Sequence, residues 1–175
     1  MSDWKNRPIY KKITREILTI IPDDLLAWAI HDHIQFKVGK NYERILQVLA
    51  ELPAGFSVVY YLFALDGEIG NGGFNQYFFN GLDRDAEQHL NALRLIEATE
   101  HQKVFQEAFR IRDEEKQNEE LQHRYAQHTI ESFFSTYEMT ELGMFDEEWY
   151  ALDKELDALL IRFIRQHPEL FISEE

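Results

Sequence analysis

Val58-Val-Tyr-Tyr-Leu-Phe-Ala-Leu65, continued by Asp66-Gly-Glu-Ile-Gly-Asn-Gly-Gly-Phe-Asn-Gln-Tyr-Phe-Phe-Asn80, is the stretch on which the fold turns. Its first part is apolar on every side and therefore belongs in an interior. Two β-branched valines and the aromatics are compatible with a buried strand. The length of the run from Gly55 to Glu68 and the helical periodicity around it favour a buried central helix instead. Glycine permits backbone angles that other residues avoid, so Gly70, Gly72 and Gly73 predict a sharp turn. Beyond that turn Phe74, Tyr77 and Phe78 share one face of a second helix, with Asn71 and Asn75 placed to accept from the free N–H groups at its start.

Working outward, Ile9 to Ile21 predicts a short basic helix stopped by Pro22. Asp23 or Asp24 can cap the next helix, which places Leu26, Ala29, Ile30 and Ile34 on one face and ends at Gly39. Asn41 caps a third, with Tyr42, Ile45, Leu46 and Leu49 at helical spacing and Pro53 as the stop. Downstream, Asp83 or Asp85 opens a helix carrying Ala86, Leu90, Leu93 and Ile96, and Val104, Phe105, Ala108 and Phe109 mark another. Residues 112–127 are polar nearly throughout and read either as a solvated helix or as a mobile loop. Ile130, Phe133, Phe134 and Tyr137 resume the apolar spacing. Trp149, Leu152, Leu156, Leu159, Leu160 and Phe163 form the clearest stripe, closed by Pro168. With no repeat, low-complexity tract or linker, the expectation is all-α: a single compact multi-helix domain over residues 1–175 with a buried central helix.

A chain of 175 residues, 45% hydrophobic and 14% aromatic, buries a real core and is not globally disordered. Cysteine is absent, which excludes disulfides, thiolate zinc sites and cysteine nucleophiles. The segment Met1 to Pro8 has no apolar h-region, and the longest apolar run, Phe56 to Leu65, is too short to cross a bilayer. A cytoplasmic protein is expected. Trp4 and the basic segment from Lys5 to Arg15 either pack back or bind elsewhere. Thirty-two acids against 18 bases give a net charge of −14, which repels nucleic acid and anionic membranes and attracts basic partners. Within 113–157 stand 14 acids and 3 bases, Lys116, Arg124 and Lys154, which is more than solubility requires.

Sites for catalysis or cofactors are not expected. The glycines lack the Gly-Lys-Ser/Thr of a phosphate loop and the spacing of a dinucleotide fingerprint, so they read as a helix–helix corner. His31 and His33 diverge on a helix, His123 and His128 are five apart, and only Glu120 to His123 supplies the Glu-x-x-His of a di-iron bundle. Ser57, Ser132 and Ser135 lie in no nucleophile elbow. A pair of carboxylates acting as hydrolase acid and base remains compatible with so many acids, but exposed runs of acids are more often solvated. The aromatics Phe74, Tyr77, Phe78, Phe79, Phe133, Phe134 and Tyr137 have the spacing of core residues.

Glu68-Ile-Gly-Asn-Gly-Gly-Phe-Asn-Gln-Tyr-Phe-Phe-Asn80, followed by Leu93-Arg-Leu-Ile-Glu-Ala98, resembles the signature of a bacterial family of DNA mimic proteins. The likeness is clearest over 60–110 and looser in Phe145-Asp-Glu-Glu-Trp-Tyr-Ala-Leu-Asp153. The resemblance implies an all-helical, often dimeric protein whose acidic surface imitates duplex DNA and occupies the DNA-binding face of a transcription regulator. The glycine-rich signature would then mark the fold and not the mimicry surface.

The residues supply the means independently of the family. DNA carries a charge about every 3.4 Å along each strand. Carboxylates four residues apart on a helix are separated by roughly 6 Å, close to alternate phosphates. Asp146, Asp153 and Asp157 form one lengthwise row on the last helix, with Glu147, Glu148 and Glu155 nearby. Asp113, Glu114, Glu115, Glu119 and Glu120 form a second cluster. The bland alternative is the wet face of amphipathic helices, yet such faces normally mix signs. With the dimer and the transcription-regulator partner that the resemblance implies, the functional expectation is a homodimeric, non-enzymatic binder of a basic helix-turn-helix regulator. It would bind no nucleic acid or membrane itself and hold no cofactor or metal. An immunity or antitoxin-like protein that plugs a basic toxin or enzyme is the competing expectation, because it needs the same acidic complementarity.

Overall fold

A computed structural model describes residues 7–173, apart from the side chain of Asp153. Trp4 and its immediate neighbours lie outside the described residues. The elements are α1 (Arg15–Ile20), α2 (Asp23–Val38), α3 (Ile45–Glu51), α4 (Ala54–Phe79), α5 (Ala86–Leu95), α6 (Thr99–Glu115), α7 (Glu119–Gln127), α8 (Ile130–Tyr137) and α9 (Met144–Gln166). Short 3-10 turns precede α3 and α5 and follow α9. The described residues contain one isolated bridge, Ile13 to Ser173, and no strand. The protein is all-α, and among the described residues no helix is long and apolar enough to cross a membrane. Residues 1–63 with 157–175 form one compact unit and residues 64–156 a second.

In the first unit the expected basic helix from Ile9 shrinks to α1. Thr14 takes the N-cap, its hydroxyl accepting from Ile17 N at 3.3 Å, while Ile13 exchanges backbone bonds of 2.9 and 2.8 Å with Ser173. A backbone bridged in this way cannot also complete helical bonds. His33, fully buried on α2, braces the same junction. Its Nδ1 donates to Tyr10 O at 2.8 Å and its Nε2 accepts from Ser173 Oγ at 3.2 Å. Arg165 closes the C-terminal end of α1 by donating to the carbonyls of Leu18 and Ile21 and to Asp23. A cation there satisfies free carbonyls and complements the helix dipole. Asp23 is thereby an ion-pair partner and not the expected cap, whereas Gly39 does end α2, at φ 65°.

In the second unit the glycine-rich turn is a break within one helix. Helical geometry fails in α4 at Gly72 and Gly73, where Gly73 has φ 68°, a left-handed angle that favours glycine, and resumes through Phe79. On the near side Leu65 and Ile69 are buried, and on the far side Phe74, Asn75 and Tyr77. The groups freed by the break are met from elsewhere. Tyr150 donates to Ile69 O at 2.8 Å, Tyr137 donates to Gly72 O, and Asp146 Oδ1 accepts from Phe74 N at 2.8 Å. The expected caps thus give way to Asp146: Asn71 is exposed, and Asn75 turns into the core. There Asn75 accepts from Tyr125 OH at 2.6 Å and donates to Thr136 Oγ1 at 2.8 Å. Residues 112–127 are helical except at 116–118, with Leu121 and Tyr125 buried, which settles the choice between helix and loop.

A Cβ at Gly73 would strike the Asp146 carboxylate and demand an unfavourable φ. Gly73→Ala is therefore expected to cost about 2–3 kcal/mol, read from urea unfolding against Gly70→Ala, whose Cβ meets nothing. Buried His89 is a second lever. Its Nδ1 lies 3.0 Å from Tyr77 OH, and burial pushes the imidazole down to about 4 from 6.5, against the pull of Asp85. The folded protein resists a proton that the unfolded chain accepts, so this contribution is full above about 6.5 and is lost as pH falls toward 4. The stability slope between those values should flatten in His89→Gln, measured by denaturant titration at each pH.

Candidate partner-binding surface

Charge divides by unit. Residues 64–156 carry 21 acids and 8 bases, a net of −13, while the remaining residues together carry −1. Nearly all of the excess negative charge of the protein therefore lies on one helical unit.

At the end of α6 and on α7 the acids are exposed and their ion pairs are local. Asp113 pairs with Lys116 at 2.6 Å, Glu114 with Arg110 at 2.6 Å and Glu120 with Arg124 at 3.1 Å. Such exposed one-helix pairs contribute little to stability, so an incoming cation competes with them easily. Glu119 is exposed at the start of α7. Glu115 is different: it accepts from Thr140 Oγ1 at 2.8 Å and from Glu141 N at 2.7 Å, so its carboxylate holds the turn before α9.

On α9 the lengthwise row is not uniform. Asp146 is half-buried, capped onto Phe74 and packed against Gly73. Burial pushes its carboxyl up, opposed by the Phe74 N–H. Its role is to complete the broken helix, which corrects its assignment as a phosphate stand-in. The side chain of Asp153 lies outside the described residues, and Asp157 is exposed but falls in the first unit. On one side of α9, roughly 100–120° around the helix from buried Trp149, stand Glu148 and Glu155, seven residues and roughly 10 Å apart and both exposed, with exposed Glu147 farther round.

Helix α8 departs most from expectation. Ser132 and Thr136 are fully buried, while Ile130 and Phe134 are 78% and 65% exposed and Tyr137 is partly exposed. The sequence displays the amphipathic pattern, but not which side faces the core. No group of three or more histidines and carboxylates among the described residues is placed to hold a metal ion.

Asp146→Ala leaves the Phe74 N–H without an acceptor and is expected to lose about 1–3 kcal/mol in urea unfolding. Asp146→Asn keeps an acceptor and removes a desolvated charge, so it stays within about 1 kcal/mol of the parent. Glu148→Gln and Glu155→Gln should change stability by no more than about 0.5 kcal/mol.

No curated protein and no solved structure matches this chain. The profile of the DMP19-like protein family matches residues 50–167, a span that includes the broken helix, Asn75 with its partners, and the acid-rich helices. The chain belongs to the DMP19-like protein family.

Proposed function

We propose that the protein is a DNA mimic that binds a DNA-binding protein, such as a helix-turn-helix transcription regulator, through the acidic surface of residues 64–156 and blocks its access to DNA. The observation that carries this reading is the confinement of a net −13 to one helical unit. Carboxylates on helices hold fixed spacings, as phosphates on a duplex do, whereas a hydration coat has no need of segregation. The set proposed to face the partner is Asp113, Glu114, Glu119 and Glu120 with Glu147, Glu148 and Glu155. Glu115 and Asp146 support it from beneath. The role is binding and not catalysis, and it is exerted in the cytoplasm.

A homodimer is part of the same proposal. Copies meeting through residues 64–156 would oppose two surfaces of like charge. The nearly neutral first unit, with Ile20, Tyr42 and Leu46 exposed, is the face where association is least opposed.

The test couples capture to competition. Immobilised protein is challenged with cell extract and with purified helix-turn-helix regulators across a salt series, with and without duplex DNA. The expected result is recovery of DNA-binding proteins, release by duplex, and steep loss of binding with salt. Glu119→Gln, Glu147→Gln, Glu148→Gln and Glu155→Gln combined should weaken capture about tenfold or more at unchanged thermal midpoint. Capture that ignores both the duplex and the fourfold variant overturns the reading. Recovery of a single basic toxin or enzyme, insensitive to DNA, selects the immunity-type alternative.

A further inference from the structure

Helix α8 presents its apolar side to solvent, and the cause lies in the core. Buried Asn75 needs polar partners, and Thr136 supplies one at 2.8 Å while its own hydroxyl donates to Phe133 O at 2.6 Å. Ser132 is drawn inward with it and forms a capping box with Thr129. With the polar side turned in, Ile130 and Phe134 are forced out.

Beside this stripe runs an open groove of about 270 Å³, lined by Phe79, His128, Ile130 and Phe133 with Gln76 and Asn80 at its polar edge. Glu68 accepts from both of those amides, at 2.9 and 2.7 Å, so a carboxylate stands at that edge. Exposed Glu131 and Glu138 flank the opposite side of the stripe, roughly 80–100° around the helix from Ile130. An apolar centre with an acidic rim has the anatomy of a protein interface: the centre supplies affinity once water is excluded, and the rim selects the partner.

The geometry points to this stripe and groove as the docking site for a basic amphipathic helix of the partner protein, which seats an aliphatic or aromatic side chain against Phe134 and Phe79 and sets lysines or arginines against Glu68, Glu131 and Glu138. Charge complementarity decides the occupant. A second copy would bring the same carboxylates to the rim, and a neutral apolar segment would leave them unpaired. The inference rests on the mimicry reading only in that the partner is basic. It adds that phosphate imitation is accompanied by an apolar anchor that DNA lacks, which would let the protein favour one regulator over others that bind DNA equally well.

The test uses the full chain and two synthetic helical peptides, one with leucine along one face and lysine on the other, and one with serine replacing every leucine. Binding is read by fluorescence anisotropy of labelled peptide. The leucine–lysine peptide is expected to bind about tenfold or more tightly than the serine–lysine peptide. Ile130→Ser with Phe134→Ser should abolish that preference without altering affinity for the serine–lysine peptide. Glu131→Gln with Glu138→Gln should weaken both peptides. Equal affinity for the two peptides, or a preference that survives Ile130→Ser with Phe134→Ser, overturns the proposal. So does sedimentation showing a wild-type dimer that this variant converts to monomer, because the face would then be occupied by a second copy. A leucine preference in a protein that captures no DNA-binding protein would defeat the mimicry reading and leave this surface standing.

Discussion

The second unit depends on a helix broken in its own interior. Ending a helix releases carbonyls on one side and N–H groups on the other, and when the break is buried each must find a partner. At Gly72–Gly73 the partners come from two other helices. Tyr137 of α8 and Tyr150 of α9 donate to the released carbonyls of Gly72 and Ile69, and Asp146 of α9 accepts from Phe74 N–H. Gly73 allows the left-handed angle, and its missing side chain leaves the space in which the Asp146 carboxylate sits. One backbone irregularity therefore fixes where α8 and the start of α9 lie. It also accounts for the residue types: glycines at the break, a carboxylate where an N–H is exposed, and tyrosines where a long reach must end in a hydroxyl.

The surface inherits its character from that arrangement. Once the break directs Asn75 inward, Tyr125 and Thr136 become its partners, and α8 shows its apolar side to water. Once Asp146 is committed to Phe74, the opposite face of α9 is left for Glu148 and Glu155. Core polarity and surface polarity are thus two sides of the same hydrogen-bond accounting. Exposing an apolar stripe normally carries an aggregation risk, and here acids on both flanks would oppose indiscriminate self-association.

Much of the fold was legible from spacing alone. The apolar run Val58–Leu65 becomes buried helix because its length and helical neighbours outweigh the valines' preference for strands, and Trp149, Leu156, Leu160 and Phe163 lie buried as their stripe predicts. Local reasoning failed where long-range bonds override it. Asn71 and Asn75 are adequate caps in isolation, yet the cap comes from a residue 72 positions away. Ile9 to Thr14 has a helical pattern, but pairing of Ile13 with Ser173 keeps it out of the helix. Ile130 and Phe134 have core spacing, but a buried asparagine draws the other side of their helix inward. In the acid-rich region, composition shows only the density of negative charge. It could not distinguish Asp146 and Glu115, whose carboxylates satisfy backbone N–H groups, from neighbours that face water, because that distinction resides in tertiary contacts.

Among the acids that face water, Asp113, Glu114 and Glu120 have a cation one turn away, so that part of the surface is charged yet not empty of counter-charges. This bears on how selective such a surface can be. A field of exposed carboxylates speeds encounter with any basic protein and is weakened by salt, so charge alone gives rate and orientation more than discrimination. Discrimination requires contacts that a wrong partner cannot make, and apolar burial supplies these when it is central and the charges are peripheral. The inverted α8, bracketed by Glu68, Glu131 and Glu138, places the two kinds of contact in that order. On this argument the polar network around Asn75 does more than stabilise the fold: by holding Thr136 inward it keeps Phe134 outward, and so sets the surface on which selectivity would depend.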